Sequence, residues 1–218
     1  MTKFRDLGKA EKIHLVITNI LRITIIIAIV SAIFGQKWVV LFVSSLTLVL
    51  TFIPAMIEKS LSVDLPVEFE FLIVIFIYAA LFLGDVHGYY TRFWWWDIIL
   101  HTGASLTLGL FGFLMMYVLY KRNKIHAKPF TIAVFAFCFA LAIGALWEIA
   151  EFTVDSLAGT TMQKSGLVDT MWDLIVDAGG ALFTSFIGFL YIKGGKTRIF
   201  HRILDRWIKH NPELFGGK

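Results

Sequence analysis

Long apolar runs separated by short polar connections dominate the chain. They predict six membrane-spanning helices at approximately 13–35, 38–57, 66–84, 98–120, 129–153 and 170–192. Each has about the 20 residues that an α-helix needs to cross roughly 30 Å of hydrocarbon. The connections leave no room for a separate soluble domain, and no internal repeat or low-complexity tract interrupts the pattern. The expected fold is therefore all-α: a polytopic transmembrane helix bundle over residues 1–193. Residues 194–218 form a basic tail in which Phe200, Ile203, Leu204, Trp207 and Ile208 share one face. Arg198, Arg202, Arg206 and Lys209 lie opposite, as in an amphipathic helix resting on a membrane surface.

Composition sharpens the class and excludes a soluble domain: 58% of residues are hydrophobic and 16% aromatic, with a mean hydropathy of +0.76. Lys and Arg set the orientation. Sixteen of the 20 fall at the N-terminus, the second and fourth connections and the tail. The opposite side has Lys37, Arg92 and Lys164, while Arg22 lies inside the first span, where it snorkels inward or pairs with Glu68 or Glu70. The positive-inside rule then puts both termini in the cytoplasm. The basic face points to anionic lipid at the cytoplasmic surface and not to nucleic acid. The first span reads as an uncleaved anchor. A single cysteine, Cys138, excludes an intrachain disulfide, and its apolar surroundings suggest a small packed hydrophobe.

The polar residues within the last three spans carry the candidate chemistry. At 100° per residue, Asp97, His101, Ser105 and Gly112 share an arc of roughly 80°. Gly144, Glu148, Glu151 and Asp155 fall within about 60°, and Asp169, Asp173, Asp177, Gly180 and Thr184 within about 80°. All three stripes start at the outer end of their spans, and a rise of about 1.5 Å per residue lines them up in depth. Seven of the 16 acidic residues gather there with one histidine. Like charges beside hydrocarbon call for protonation or a cation. Carboxylates with one imidazole suit Mg, Mn, Zn or Fe. The expected metal ligands are His101, Glu148, Glu151, Asp173 and Asp177, with Asp97, Asp155 and Asp169 at the rim. The candidate catalytic residues are Glu151, as base, and Arg92, which precedes Asp97 by five residues and is its natural cationic partner. The aromatic connection 84–97 reads as an interfacial belt, and 156–168 as either a lid or an ordinary loop over the same mouth.

The segments RFWWWDIILH (92–101), WEIAEFTVD (147–155) and GTTMQKSGLVDTMWDLIVDAGGA (159–181) resemble the YjdF-like family of bacterial inner-membrane proteins. The resemblance implies an integral protein of the bacterial plasma (inner) membrane and supplies no reaction. Three functions fit the residues: a metal-dependent hydrolase or transferase acting on lipid or lipid-linked phosphate, a cation- or proton-coupled transporter, and a non-catalytic membrane protein whose acids hold helices together.

Overall fold

The computed structural model describes residues 9–61, 67–159 and 161–194, together with 202, 204, 205, 207–209 and 211. The described residues are helical and include no strand. Five helices are long and apolar enough to cross a membrane: Lys12–Phe34, Trp38–Ser60, Trp96–Lys121, Pro129–Leu157 and Leu167–Ile192. Their outward positions are strongly apolar. Ile27, Phe42, Leu146, Ile149, Phe183 and many like them are more than half exposed, as suits a surface solvated by lipid.

The chain divides into two compact units, Met1–Trp96 and Asp97–Lys218. In the first, α1 (Lys9–Phe34) leads through a tight turn to α2 (Trp38–Leu50) and α3 (Ile53–Leu61). The second apolar run is thus one span built of two helices, broken at Thr51 and Phe52. Pro54 explains the break: it lacks an N–H, and its ring collides with the carbonyl four residues earlier. Arg22 fills the gap. Its Nη2 donates to the Thr51 carbonyl at 2.8 Å and its Nε to Thr51 Oγ1 at 3.1 Å. The guanidinium also lies 4.1 Å from the centre of the Phe52 ring, and Glu70 is within electrostatic reach. Arg22 thereby braces a broken helix.

The run expected as the third span is divided between α4 (Val67–Ile77) and a π-helix, Tyr78–Val86. Beyond it, Tyr90 packs so tightly on Gly84 that a side chain there would overlap its ring. The short α5 (Tyr89–Arg92) leads into an aromatic cluster in which Tyr89 meets Phe93 and Trp96 edge-on and Trp95 adjoins both Phe93 and Trp96.

The second unit contains α6 (Trp96–Lys121), α7 (Pro129–Ala158) and α8 (Leu167–Ile192). Pro129 starts α7, where its missing N–H is not needed, and Gly159 ends it with φ 66°. The helix runs five residues past the expected end of its span. Small residues set the spacing: a side chain at Gly180 would strike Ser105, one at Gly188 would strike Phe113, and one at Gly144 would strike Asp177. Thr184 Oγ1 donates across to the Leu106 carbonyl at 3.2 Å. Cys138 is exposed on α7 and is not a packed core residue. An apolar run cannot reveal this, because the lipid-facing side of a span is as hydrophobic as the packed side.

Much of the expected interfacial tail helix, including Arg198, Phe200, Ile203 and Arg206, lies outside the described residues. Of those described, Arg202, Asp205 and Lys209 are exposed, whereas Leu204 and Trp207 are buried.

Candidate metal centre

Helical spacing delivers the site. Asp97 lies in the first turn of α6 and His101 one turn later on the same face. Asp173 and Asp177 repeat that spacing on α8, where both are buried along with Gly180, Ala181 and Thr184. Glu148 reaches in from α7, one turn beyond the Gly144 that makes room for Asp177.

The three helices converge on one imidazole. His101 is buried, and its Nδ1 lies 3.3 Å from Asp177 Oδ2. Its Nε2 faces Asp97 Oδ1 at 3.8 Å, Glu148 Oε1 at 3.8 Å and Asp173 Oδ1 at 4.0 Å. Those three separations exceed hydrogen-bond length. They approach the roughly 3–3.6 Å between atoms that share one ion at about 2.0–2.2 Å. Among the described residues, Asp97, His101 and Asp173 each offer a ligand atom, all within 4.8 Å of one another. Sub-ångström movement of each side chain would close that set on an ion.

Glu148 is the least satisfied member. It is 3% exposed, and neither carboxylate oxygen has a hydrogen-bond partner. Thr170 stands near it on α8 outside hydrogen-bond geometry, and the Thr170 hydroxyl accepts from Gln163 Nε2 at 2.7 Å. Leaving a buried charged group unbonded costs more than the 1–3 kcal/mol typical of a neutral one. Glu151 is half-buried and lies within electrostatic reach of Glu148, Asp97 and His101.

The connection between α7 and α8 folds over these acids and is tied down at several points. Asp155 accepts from the backbone N–H of Met162 and of Gln163, each at 2.8 Å. Asp169 Oδ2 accepts from the N–H of Lys164 at 3.1 Å. Gln163 Nε2 also approaches the Glu148 carbonyl at 3.4 Å. Lys164 Nζ donates to Asp97 Oδ2 at 2.7 Å. Gly166 turns the chain into α8 with φ 63° and ψ −127°, a conformation that favours glycine.

Of the residues singled out from sequence, Asp97, His101, Glu148, Asp173 and Asp177 thus surround one point. Glu151 is near it, and Asp155 and Asp169 hold the loop. Arg92 is exposed on α5 in the first unit. Lys164 and Gln163, placed from sequence only in the loop over the mouth, make contacts to the acidic residues' helices that sequence reasoning did not assign. The available signal was that Lys164 is one of only three basic residues assigned to the acidic side.

Residues 13–194 match the family described as "Predicted membrane protein (DUF2238)". The chain belongs to this family. The YjdF-like resemblance is consistent with that membership. Over 129 residues the chain is also 30% identical to an uncharacterized protein of Thermotoga maritima, covering 59% of this chain. The match spans 66% of that relative, just under two thirds of its length. No solved structure matches the chain. The family description gives a membrane protein and names no reaction.

Proposed function

We propose that the chain is a six-span protein of the bacterial plasma membrane, with both termini cytoplasmic, that binds a divalent cation at the outer ends of α6, α7 and α8. There it hydrolyses or transfers phosphate on a lipid or lipid-linked substrate. One observation carries the reading: a buried imidazole, fixed by Asp177, faces a buried Glu148 carboxylate that has no hydrogen-bond partner. Buried groups of that kind call for a bound partner. Metal-binding histidines characteristically hold a carboxylate through their second ring nitrogen.

In this assignment His101 Nε2, Asp97 and Asp173 ligate the cation, Glu148 completes the set, and Asp177 orients the imidazole. Oxygen donors with a single imidazole suit Mg, Mn, Zn or Fe. A bound cation supplies Lewis acidity toward a phosphoryl oxygen or water. Glu151 takes the proton as the oxygen of water or an alcohol bonds to phosphorus, and returns it to the lipid oxygen as the old P–O bond breaks. The sixth span has support in the continuous helix through 67–86, where α4 of 11 residues runs directly into a π-helix of nine.

A proton- or cation-coupled carrier is the second reading, favoured by the His101–Asp177 hydrogen bond inside an acidic cluster. It needs a polar route inward, whereas buried positions deeper on α6 and α7 include Phe113, Leu114, Ile132, Ala136 and Ala140.

Metal analysis of detergent-purified protein tests the proposal. Wild type should retain one divalent ion per chain and release phosphate from a phosphomonoester lipid. Asp173→Ala should lose both properties. Wild type that folds but takes up no divalent ion would refute the metal centre. An ion bound without phosphate release would confine the account to binding.

A further inference from the structure

A groove of about 520 Å³ lies between α7 and α8, and Glu148, midway along its α7 side, is the member of the acidic cluster that lines it. Its walls are Ile149 and Phe152 on one side and Leu167 and Leu174 on the other; polar groups come only from Glu148, Thr170 and Gln163. The volume falls within the roughly 300–1,000 Å³ of small-molecule sites. Ile149 is 59% exposed, Phe152 60% and Leu167 77%, so the walls continue into the apolar flank of two candidate spans. Along α7, Ala145 and Phe152 are two turns apart, roughly 10 Å of groove length. The groove is thus apolar along its walls and open on a flank that suits hydrocarbon. It adjoins a buried carboxylate with no hydrogen-bond partner, 3.8 Å from His101.

We infer that this groove seats the hydrocarbon chain of a membrane lipid whose polar head passes Glu148 into the acidic cluster, so that the ligand reaches the site sideways from the bilayer. The inference rests on the lipid-substrate reading of the same site. Three observations select a lipid chain as the occupant: the exposed apolar flank, the scarcity of polar groups along the walls, and a lining shared with the cluster through Glu148. A helix of a second copy is about 10 Å or more across with its side chains. It would cover the mouth, with only single side chains entering the groove.

The test uses full-length protein in vesicles of phosphatidylethanolamine and phosphatidylglycerol, with a benzophenone amino acid at Leu174 or, as control, at Leu182. Leu182 lies on the same helix, is 61% exposed and does not line the groove. Exposure alone would make Leu182 the more heavily labelled. The groove predicts more cross-linked lipid at Leu174, and loss of that excess when Ala145→Trp fills the inner end. Labelling at Leu174 no greater than at Leu182, labelling indifferent to Ala145→Trp, or cross-links to protein in place of lipid would each overturn the inference. Divalent-ion binding, measured on the same samples, separates the two claims. Ala145→Trp should keep the ion while losing lipid. Selective lipid labelling without any bound ion would refute the metal reading and leave the groove standing. Should Ala145→Trp fail to fold, Leu174→Trp serves in its place, with the reporter moved to Ile149.

Discussion

Lys164 gives the site a built-in competitor for a cation, and removing it should tighten metal binding. Its ammonium donates to Asp97 Oδ2 at 2.7 Å, while Asp97 Oδ1 is 3.8 Å from the imidazole nitrogen that would ligate the ion. A dication there would stand about 5 Å from Nζ, and even in bulk water their repulsion is near 1.7 kcal/mol. The Lys164 side chain is 33% exposed and that of Asp97 17%, so the pair itself contributes only about 1 kcal/mol. Repulsion exceeds that figure, so Lys164 swings out when the ion binds, and its lost contact with Asp97 weakens the apparent affinity. Lys164→Met removes the competition and should bind Mn²⁺ about fivefold more tightly. Lys164→Arg, which keeps the charge, should stay near wild type. Titration of both variants by calorimetry in detergent measures the effect. Weaker binding by Lys164→Met would mean that the lysine organises the site, and the displacement argument would then fail.

Other consequences can be checked alongside. Gly144→Ala puts a methyl where the Asp177 carboxylate lies, so it should destabilise the fold by about 1–3 kcal/mol and weaken ion binding. Gly179→Ala, with nothing within 4 Å, should do neither; thermal unfolding and titration of the pair decide. Trp207→Ala should lower the unfolding midpoint and leave ion binding intact, because Trp207 is only 8% exposed in the second unit. An unchanged midpoint would favour a tail that merely rests on lipid. With Cys138 replaced, cysteine at Ser156 should react with an impermeant reagent applied outside cells, and cysteine at Asn123 should not. The reverse pattern would invert the proposed topology.

The parts of the site visible in sequence are those that helix geometry alone determines. His101 with Ser105, and Asp173 with Asp177, Gly180 and Thr184, share faces because successive residues turn by 100°. Burial follows those faces in the structure. Contacts that depend on a loop were not legible. No periodicity ties Lys164 to Asp97, 67 residues away, and nothing in a carboxylate's spacing reveals that Asp155 accepts two backbone N–H groups. Depth alone also cannot separate a ligand from an orienting group, which is why Asp177 and Asp97 exchange roles in the proposed assignment. In the first unit the regular period itself breaks down. Pro54 splits one span, and the π-helix at Tyr78–Val86 rotates later residues away from the faces a 3.6-residue repeat assigns.

The central claim is that His101 Nε2 binds a divalent ion among carboxylates. Pulsed electron paramagnetic resonance of the Mn²⁺-loaded protein addresses it most directly, since a coordinated imidazole nitrogen modulates the manganese spin echo. Wild type should show that nitrogen coupling at one ion per chain. His101→Gln should lose it and bind more weakly, and Asp177→Asn should retain a bound ion with an altered coupling, because the ring loses its anionic partner. Bound manganese with no nitrogen coupling, or a coupling unchanged in His101→Gln, would contradict the account.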